Sequence, residues 1–190
     1  MIADHRGGPI VTERLRLELL EPKHAPMLLA YHLRNAGRLK PWEPARAPDF
    51  FTAAFWERSV ATRCAEQTDG RAAHFLAFAG DAGGDVIADV SLTNIVRGVF
   101  QAAVMGYSVG GEYEGRGFAR ESVGAVVDYA FIVLGLHRVM ANYRPENERS
   151  AALLRRLGFI VEGYARDYVK IDGEWRDHVL TALVNPRMID

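Results

Sequence analysis

Residues 105–130 read MGYSVGGEYEGRGFARESVGAVVDYA, and this stretch decides how the rest of the chain is interpreted. A short apolar strand leads into a turn with four glycines between positions 110 and 117, and an amphipathic helix follows at once. In such a turn, backbone N–H groups converge just ahead of a helix N-terminus, where the helix dipole adds a partial positive charge. The stretch therefore predicts a site for a phosphate-bearing cofactor at residues 116–120.

Two common phosphate-binding motifs do not match this turn. A P-loop would place Gly-Lys-Ser/Thr after the glycines, and the sequence lacks it. The dinucleotide fingerprint requires three spaced glycines and an acidic residue about 20 positions further on, and the turn fits that pattern poorly. Glycine-rich turns between a strand and a helix are also common as simple connections. The identity of the cofactor must therefore come from the rest of the chain.

Composition and charge limit the class of protein. The chain has 190 residues, of which 49% are hydrophobic and 25% are charged, with a net charge of −1. These values are typical of one globular domain with a substantial core. Because a protein that binds a phosphate backbone usually carries a basic stripe, we expect no direct recognition of nucleic acid.

The ends of the chain and its single cysteine indicate the compartment. Cys64 stands alone, which excludes an intramolecular disulfide and favours a reducing environment. The N-terminal residues lack the apolar core of a signal peptide, and no apolar run reaches membrane-spanning length. We expect a cytoplasmic protein that is a monomer or homodimer and does not bind membranes, with residues 1–10 as a flexible lead-in and 11–190 as one domain.

Hydrophobic periodicity divides the chain into strands and helices. Alternating leucines over 15–19 predict a half-buried strand, and apolar residues at helical spacing predict a helix after the glycine turn. Asp172-Gly173 separates two alternating runs and predicts a β-hairpin. Further strands are expected at 74–80, 85–98, 100–110 and 137–143, and further helices from residue 22, over 49–67 and from about residue 150. The strands 105–110 and 137–143 enclose a helix and should be parallel.

The histidines do not indicate a metal site. A zinc site needs several His, Cys or acidic side chains at ligand spacing, and no such cluster stands out in the sequence. His24 and His32 are interpreted as surface and packing residues. We therefore expect the protein to hold no metal.

With these elements in order, the sequence resembles the GNAT superfamily of acetyl-CoA-dependent N-acetyltransferases. The resemblance rests on the order strand, glycine turn, helix, strand, Asn-x-x-Ser, short helix, Gly-Phe and hairpin. It implies an α+β fold of three α/β/α layers around a mixed, mostly antiparallel sheet of about seven strands, splayed at the parallel pair 105–110/137–143. In this family the turn binds the coenzyme A pyrophosphate through backbone amides. Here the turn and the start of its helix are Glu114, Gly115, Arg116, Gly117, Phe118, Ala119 and Arg120. Glu114 replaces the usual Gln or Arg, which raises the question of whether its carboxylate weakens coenzyme binding.

Longer segments are similar to the RimJ-type ribosomal-protein alanine N-acetyltransferases within that superfamily. The similar segments are KPWEP (40–44), NIVRGVFQAAVMGYSVG (94–110), MANYRPENERSAALLRRLGF (140–159) and EGYARDYVKIDGEWRDHVLTAL (162–183). Together they cover most of the chain beyond residue 39. The resemblance implies that the acceptor amine is the N-terminal alanine of a small-subunit ribosomal protein, and association with the ribosome is a related expectation.

The resemblance also implies roles for individual residues in the transfer of an acetyl group to a primary amine. Backbone groups of Tyr107, Ser108 and Val109 would flank the pantetheine arm. Asn147 would bind the same arm, and Ser150 matches the position proposed in related enzymes to protonate the departing sulfur. A local interpretation remains open for this pair, since Asn and Ser near a helix start often cap it.

The proton acceptor is less well defined by the sequence. Many relatives place a Glu just before the Gly-Tyr of the motif strand, and here Met105 occupies that position. Glu43 and Glu162 are the candidate bases, and Asp177 is a more remote third. A neutral amine is partly available near pH 7 because an α-amine has a pKa near 8, so a modest base acting through water would suffice.

The acceptor groove is expected between the first helices and the last hairpin. The predicted contacts are Lys40, Pro41, Trp42 and Glu43 from the proline-rich loop, with Tyr164, Tyr168 and Trp175 from the hairpin. Two other functions stay open: acetylation of a different amine, such as another protein N-terminus, a polyamine or an antibiotic, and a non-catalytic acetyl-CoA-binding module in ribosome assembly or regulation.

Overall fold

A computed structural model of the protein describes residues 8–80 and 84–188. One mixed sheet of eight strands runs through it in the order β1-β2-β3-β4-β5-β6-β8-β7, and every neighbouring pair is antiparallel except β5 and β6. The strands are β1 Ile10–Val11, β2 Leu15–Leu19, β3 Ala73–Ala79, β4 Val86–Val96, β5 Ala102–Val109, β6 Arg138–Met140, β7 Ile160–Ile171 and β8 Glu174–Val184. The helices are α1 Ala25–Arg34, α2 Ala36–Leu39, α3 Ala53–Thr68, α4 Phe118–Ile132 and α5 Glu148–Arg156.

The two faces of the sheet are covered by different helices. In β3 the side chains alternate: Phe75 and Ala77 pack in a core with α4 and α5, whereas Leu76 and Phe78 pack with α1 and α3. A strand that is buried on both faces has a continuous run of apolar residues instead of an alternating pattern. The sequence HFLAFA of β3 has such a run. The protein therefore has the three-layer α/β/α arrangement expected from the sequence.

The first helices begin later than the sequence predicts. Residues Pro22–His24 form a 3₁₀ turn, and α1 begins at Ala25. The helix expected from residue 49 begins at Ala53, because the Thr52 hydroxyl caps it by accepting the Phe55 N–H at 3.2 Å. A side-chain oxygen in this role satisfies one of the amides that the first turn leaves without a partner.

Residues 8–80 and 84–188 form eight strands, where about seven were expected. The additional strand is β1, whose two residues are too few to show a period. It lies partly in the predicted lead-in 1–10, since Ile10 pairs with Leu17 of β2 and is buried. Residues 1–7 of that lead-in lie outside the described residues, as do residues 81–83 of the connection between β3 and β4.

The splay predicted between the two parallel strands is present. Strand β5 pairs with β6 at Ala102, Ala103 and Val104, and the pairing stops there although β5 continues to Val109. The predicted strand 137–143 is shorter, because after Met140 the chain turns toward β8, where Tyr143 forms an isolated bridge with Val179. A wedge thus opens beside the second half of β5.

In the part of the chain that the structure describes, no helix combines the length and apolar character needed to cross a membrane.

Candidate active site

The wedge beside β5 contains a cavity of about 1130 Å³. Its walls are the second half of β5, the glycine turn, α5 and the loop that follows α2. Twelve of the residues selected from the sequence line it: Trp42, Glu43, Tyr107, Ser108, Val109, Glu114, Gly115, Gly117, Ala119, Arg120, Asn147 and Ser150. Lys40, Pro41, Arg116, Phe118, Glu162, Tyr164, Tyr168 and Trp175 were also selected and do not line it.

The glycine turn is built from left-handed backbone and is supported from outside the cavity. Gly115 and Gly117 have φ values of 69° and 84°, a conformation that costs little only for glycine. Gly117 is the N-cap of α4, so the unpaired amides of the first turn of α4 lie at the cavity. Arg14 stabilises this turn by donating to the Arg116 carbonyl at 2.9 Å and to Glu121 at 2.7 Å.

The Glu114 carboxylate is neutralised by two arginines. Arg38 donates to it at 2.6 Å, Arg149 donates to its other oxygen, and Arg38 also donates to the Val109 carbonyl. Asn35, which is buried, accepts the Gly111 N–H at 2.9 Å and so fixes the start of the turn to the end of α1. The negative charge introduced by Glu114 is therefore balanced within the protein, which the sequence alone does not reveal.

Two hydroxyl pairs lie along β5. The Tyr107 and Ser150 hydroxyls are 2.5 Å apart, and those of Tyr31 and Ser108 are 2.9 Å apart. Burial raises the pKa of Tyr107 to about 12. The Asn147 side chain accepts the Ser150 N–H at 3.0 Å, so this residue caps α5, and it also lines the cavity.

The cavity is also lined by a partly buried carboxylate, that of Glu43. Arg46 donates to one oxygen of Glu43 at 3.1 Å, and Nδ1 of His32 lies 3.7 Å from the other. The backbone N–H of Asp172 donates to the Glu43 carbonyl at 2.9 Å, which joins this loop to the β7–β8 turn. Burial raises the pKa of Glu43 and lowers that of His32 to about 4, so the imidazole is neutral near pH 7. Glu43 can therefore accept a proton there.

The rest of the proline-rich loop has a structural role in this geometry. Arg144 donates to the Pro41 carbonyl at 2.6 Å, and its guanidinium lies 5.2 Å from the Trp42 ring centroid. Lys40 forms an ion pair with Asp172 at 3.8 Å. Of these three loop residues, Trp42 alone lines the cavity.

The other two candidate bases lie away from the cavity. Glu162 is half exposed on β7 and forms an ion pair with Arg138. Asp177 accepts a hydrogen bond from the Tyr164 hydroxyl at 2.6 Å on the β7–β8 hairpin. Neither carboxylate lines the cavity, so the structure separates Glu43 from the two alternatives.

The hairpin aromatics are exposed outside the cavity. Tyr164 is 58% exposed, Tyr168 44% and Trp175 60%. Tyr168 accepts a hydrogen bond from Asn142 at 3.3 Å and packs against His178. Their exposed surface is available to a partner larger than a small molecule.

Several cavity residues were missed by the sequence reasoning. His32 was interpreted as a packing residue, and it does stack on Trp56 with ring centroids 4.5 Å apart, yet it also lines the cavity. Asp89 of β4 and Arg38 were not selected as site residues either. Their contacts join segments far apart in the sequence, so no local pattern could have indicated them.

The residues of this cavity fit a large anionic coenzyme. Arg120 and Arg156 line it together with the helix N-terminus, and Arg38 and Arg149 also line it while paired with Glu114. The unpaired half of β5 adds backbone groups suited to an amide-containing arm. No cluster of His, Cys, Asp or Glu suited to a metal ion occurs among residues 8–80 and 84–188.

Comparison with known proteins agrees with this geometry. A model of the acetyltransferase (GNAT) domain matches residues 14–160. The chain is 41% identical over 177 residues to the ribosomal protein uS5-alanine N-acetyltransferase of Escherichia coli (strain K12), covering 93% of this chain and 91% of that protein. The chain belongs to the GNAT acetyltransferases. The resemblance to the RimJ-type subgroup is confirmed by the same comparison.

Solved GNAT structures share the whole architecture. The ribosomal-protein-S5-alanine acetyltransferase from Vibrio fischeri superposes with a TM-score of 0.88 and 35% identity, covering 96% of this chain and 99% of that one. RimJ of Mycobacterium smegmatis, in complex with a coenzyme A disulfide, gives a TM-score of 0.85 and 28% identity, covering 96% and 88%. The predicted fold, the acyltransferase class and acetyl-CoA as the coenzyme of this family are therefore confirmed.

Proposed function

We propose that this protein transfers the acetyl group of acetyl-CoA to the N-terminal α-amine of a protein, namely an N-terminal alanine of a small-subunit ribosomal protein. The observation that carries the proposal is one continuous cavity that joins the glycine turn at one end to Glu43 at the other. The turn accounts for the coenzyme, and the carboxylate accounts for an amine that must lose a proton. The relative in Escherichia coli is named for the same reaction.

The coenzyme end of the cavity would bind through the turn and β5. The first-turn amides of α4 and Gly115–Gly117 would bind phosphate oxygens, and Arg120 would add a positive charge. The exposed backbone of 107–109 and the Asn147 amide would hold the pantetheine arm. When bound, the coenzyme supplies an activated acetyl thioester, and the chain supplies its orientation.

The acceptor end would bind and deprotonate the amine. Of the three candidate carboxylates, Glu43 lines the cavity, and its fixed position between Arg46 and His32 suits a base that acts directly or through one water. Because burial raises the pKa of Glu43, its carboxylate is a stronger proton acceptor than an exposed one. Ser150 would protonate the departing sulfur.

The acceptor is proposed to be a protein terminus because of what surrounds this end. Trp42 lines the cavity while Tyr164, Tyr168 and Trp175 are exposed on the nearby hairpin, so a chain leaving the cavity could contact aromatic side chains. Such residues are enriched where proteins bind one another. A cytoplasmic location and transient association with the ribosome follow from this acceptor and are part of the proposal.

Mass spectrometry of intact N-termini tests the acceptor. Ribosomal proteins from cells lacking this activity are incubated with acetyl-CoA and the enzyme, with Ser150→Ala in parallel. The proposal requires the gain of one acetyl group at an N-terminal alanine of a small-subunit protein. Acetylation of polyamines or of other termini alone would assign another amine. Binding of acetyl-CoA without acetylation of any amine offered would indicate the non-catalytic module.

A further inference from the structure

The hydroxyls of Tyr107 and Ser150, two residues that line the cavity, form a hydrogen-bonded pair. Tyr107 is on β5 and Ser150 is in the first turn of α5, so the pair connects the two walls of the wedge. The hydroxyl oxygens are 2.5 Å apart, and both side chains line the cavity. The Ser150 backbone is fixed as well, because its N–H donates to the Asn147 side chain. The position of the serine hydroxyl is therefore determined by two independent contacts.

A serine hydroxyl alone is a poor proton donor. An aliphatic hydroxyl is about as weakly acidic as water and far less acidic than a thiol such as cysteine, whose pKa is about 8.5. A phenol, with a pKa of about 10 in water, is a far better donor. Although burial raises the pKa of Tyr107 to about 12, the hydrogen bond with Ser150 acts in the opposite direction. The phenol therefore remains the stronger acid of the pair.

We propose that Tyr107 is a positioning residue that acts through Ser150 and supplies the proton for the departing sulfur of coenzyme A. The proposal rests on the acetyl transfer proposed above. As the carbon–sulfur bond breaks, the Ser150 proton moves to sulfur, and the Tyr107 Oη proton moves to Ser150 Oγ. One S–H bond forms and one phenol O–H bond breaks. The phenolate then takes up, through solvent, the proton that the amine loses. Over one turnover the enzyme therefore gains and loses no proton.

The surroundings of the phenol suit this relay. The groups that face it are Ser150 from α5 and Tyr143 from the segment after β6, both of them hydroxyl-bearing. After the transfer, Ser150 can donate its new proton in a hydrogen bond to the phenolate and so stabilise it. A purely structural role, in which the pair only connects β5 to α5, would require the hydrogen bond but not the acidity of the phenol.

Rapid-mixing kinetics with an amine that the wild type acetylates separate these roles. Tyr107→Phe should bind acetyl-CoA with an unchanged dissociation constant in calorimetry. Its single-turnover rate should fall by at least about tenfold and by no more than the factor of about 10²–10⁴ that general acid catalysis contributes. Tyr129→Phe is the matched control, because Tyr129 packs on Phe75 away from the cavity and should keep the wild-type rate. A wild-type rate in Tyr107→Phe would overturn the proposal.

Changing the acidity of the phenol gives the decisive readout. With 3-fluorotyrosine at position 107, whose phenol is more acidic, the alkaline limb of the rate–pH profile should move to lower pH. The fluorine resonance should titrate, and its pKa should rise when Ser150→Ala removes the hydrogen bond. The proposal would be refuted if the alkaline limb stayed at the wild-type pH, or if Ser150→Ala did not change the pKa of the fluorotyrosine. The fluorine titration needs no acceptor amine, so it tests the hydrogen-bonded pair even if the wild type acetylates no protein terminus. A wild type that acetylates no protein terminus would refute the proposed function and not this inference.

Discussion

A buried ion pair beside the acceptor end gives a sharp prediction about stability. Arg63 of α3 donates to both carboxylate oxygens of Asp89 on β4, at 3.0 and 3.2 Å. It also donates to the Ser91 hydroxyl at 3.1 Å and to the His74 ring at 3.2 Å. The side chains of Arg63 and Asp89 are 17% and 16% exposed, so the pair is largely removed from water.

The expected cost of losing the arginine follows from this burial. In Arg63→Met the hydrophobic stem stays in place, but the Asp89 carboxylate is left without its partner. Removing one member of a buried pair costs about 3–5 kcal/mol, and the residual exposure favours the lower end, about 3 kcal/mol. For a chain of this size each kcal/mol lowers the melting temperature by about 2–4 °C, so we expect a decrease of about 6–12 °C.

Thermal and urea unfolding of three proteins would measure this effect. They are the wild type, Arg63→Met and the double variant Arg63→Met/Asp89→Asn, in which the charge left behind is also removed. Most of the lost stability should return in the double variant, because its neutral amide does not carry the desolvation cost of a charge. A double variant as unstable as Arg63→Met would refute the reasoning and assign the loss to packing of the arginine stem.

Three further predictions concern the cavity. Glu43→Gln should lower kcat/KM by about 10²–10⁴-fold by removing the proton acceptor, whereas Glu162→Gln, a matched change outside the cavity, should leave it unchanged. In the wild type, the raised pKa of Glu43 should shift the acid limb of kcat/KM above the ordinary carboxyl range, and activity should fall as pH drops through it; an acid limb that persists in Glu43→Gln would contradict this assignment. Gly117→Ala should weaken acetyl-CoA binding in calorimetry and destabilise the fold by about 1–2 kcal/mol, because φ is 84° and the new Cβ would lie 3.1 Å from Arg14 Nη2. Gly124→Ala in α4 is the control, since its Cβ would make an ordinary contact of 3.6 Å with Leu157. Equal coenzyme affinity in both variants would count against the turn as the phosphate site.

The elements with local signals could be predicted from the sequence. The glycine turn, the helix after it and the Asp172–Gly173 hairpin were located correctly, because each depends on residues within a few positions of one another. The turn glycines do adopt positive φ at 115, 117 and 173. The start of α3 was placed too early because residues 49–52 are compatible with a helix in composition, and the cap at Thr52 decides the boundary.

The composition of the site depended on contacts that the sequence cannot show. Glu43 and Glu162 were equivalent candidates until the sheet order placed Glu162 beside Arg138 and the loop placed Glu43 in the cavity. The balance of charge around Glu114 depends on helices 76 and 35 positions away along the chain. Pairing over such distances follows from the tertiary fold, for which a single sequence gives no local pattern.

The splay of β5 from β6 has a consequence for association as well as for the site. From Met105 to Val109 the strand is a sheet edge, and exposed edges invite pairing with another chain. Here the edge faces the wedge, whose walls include α5 and the glycine turn. In the function proposed above, the amide-containing arm of the coenzyme would add to this edge in the manner of a short strand. A coenzyme bound there would occupy hydrogen-bonding groups that would otherwise be open to another chain.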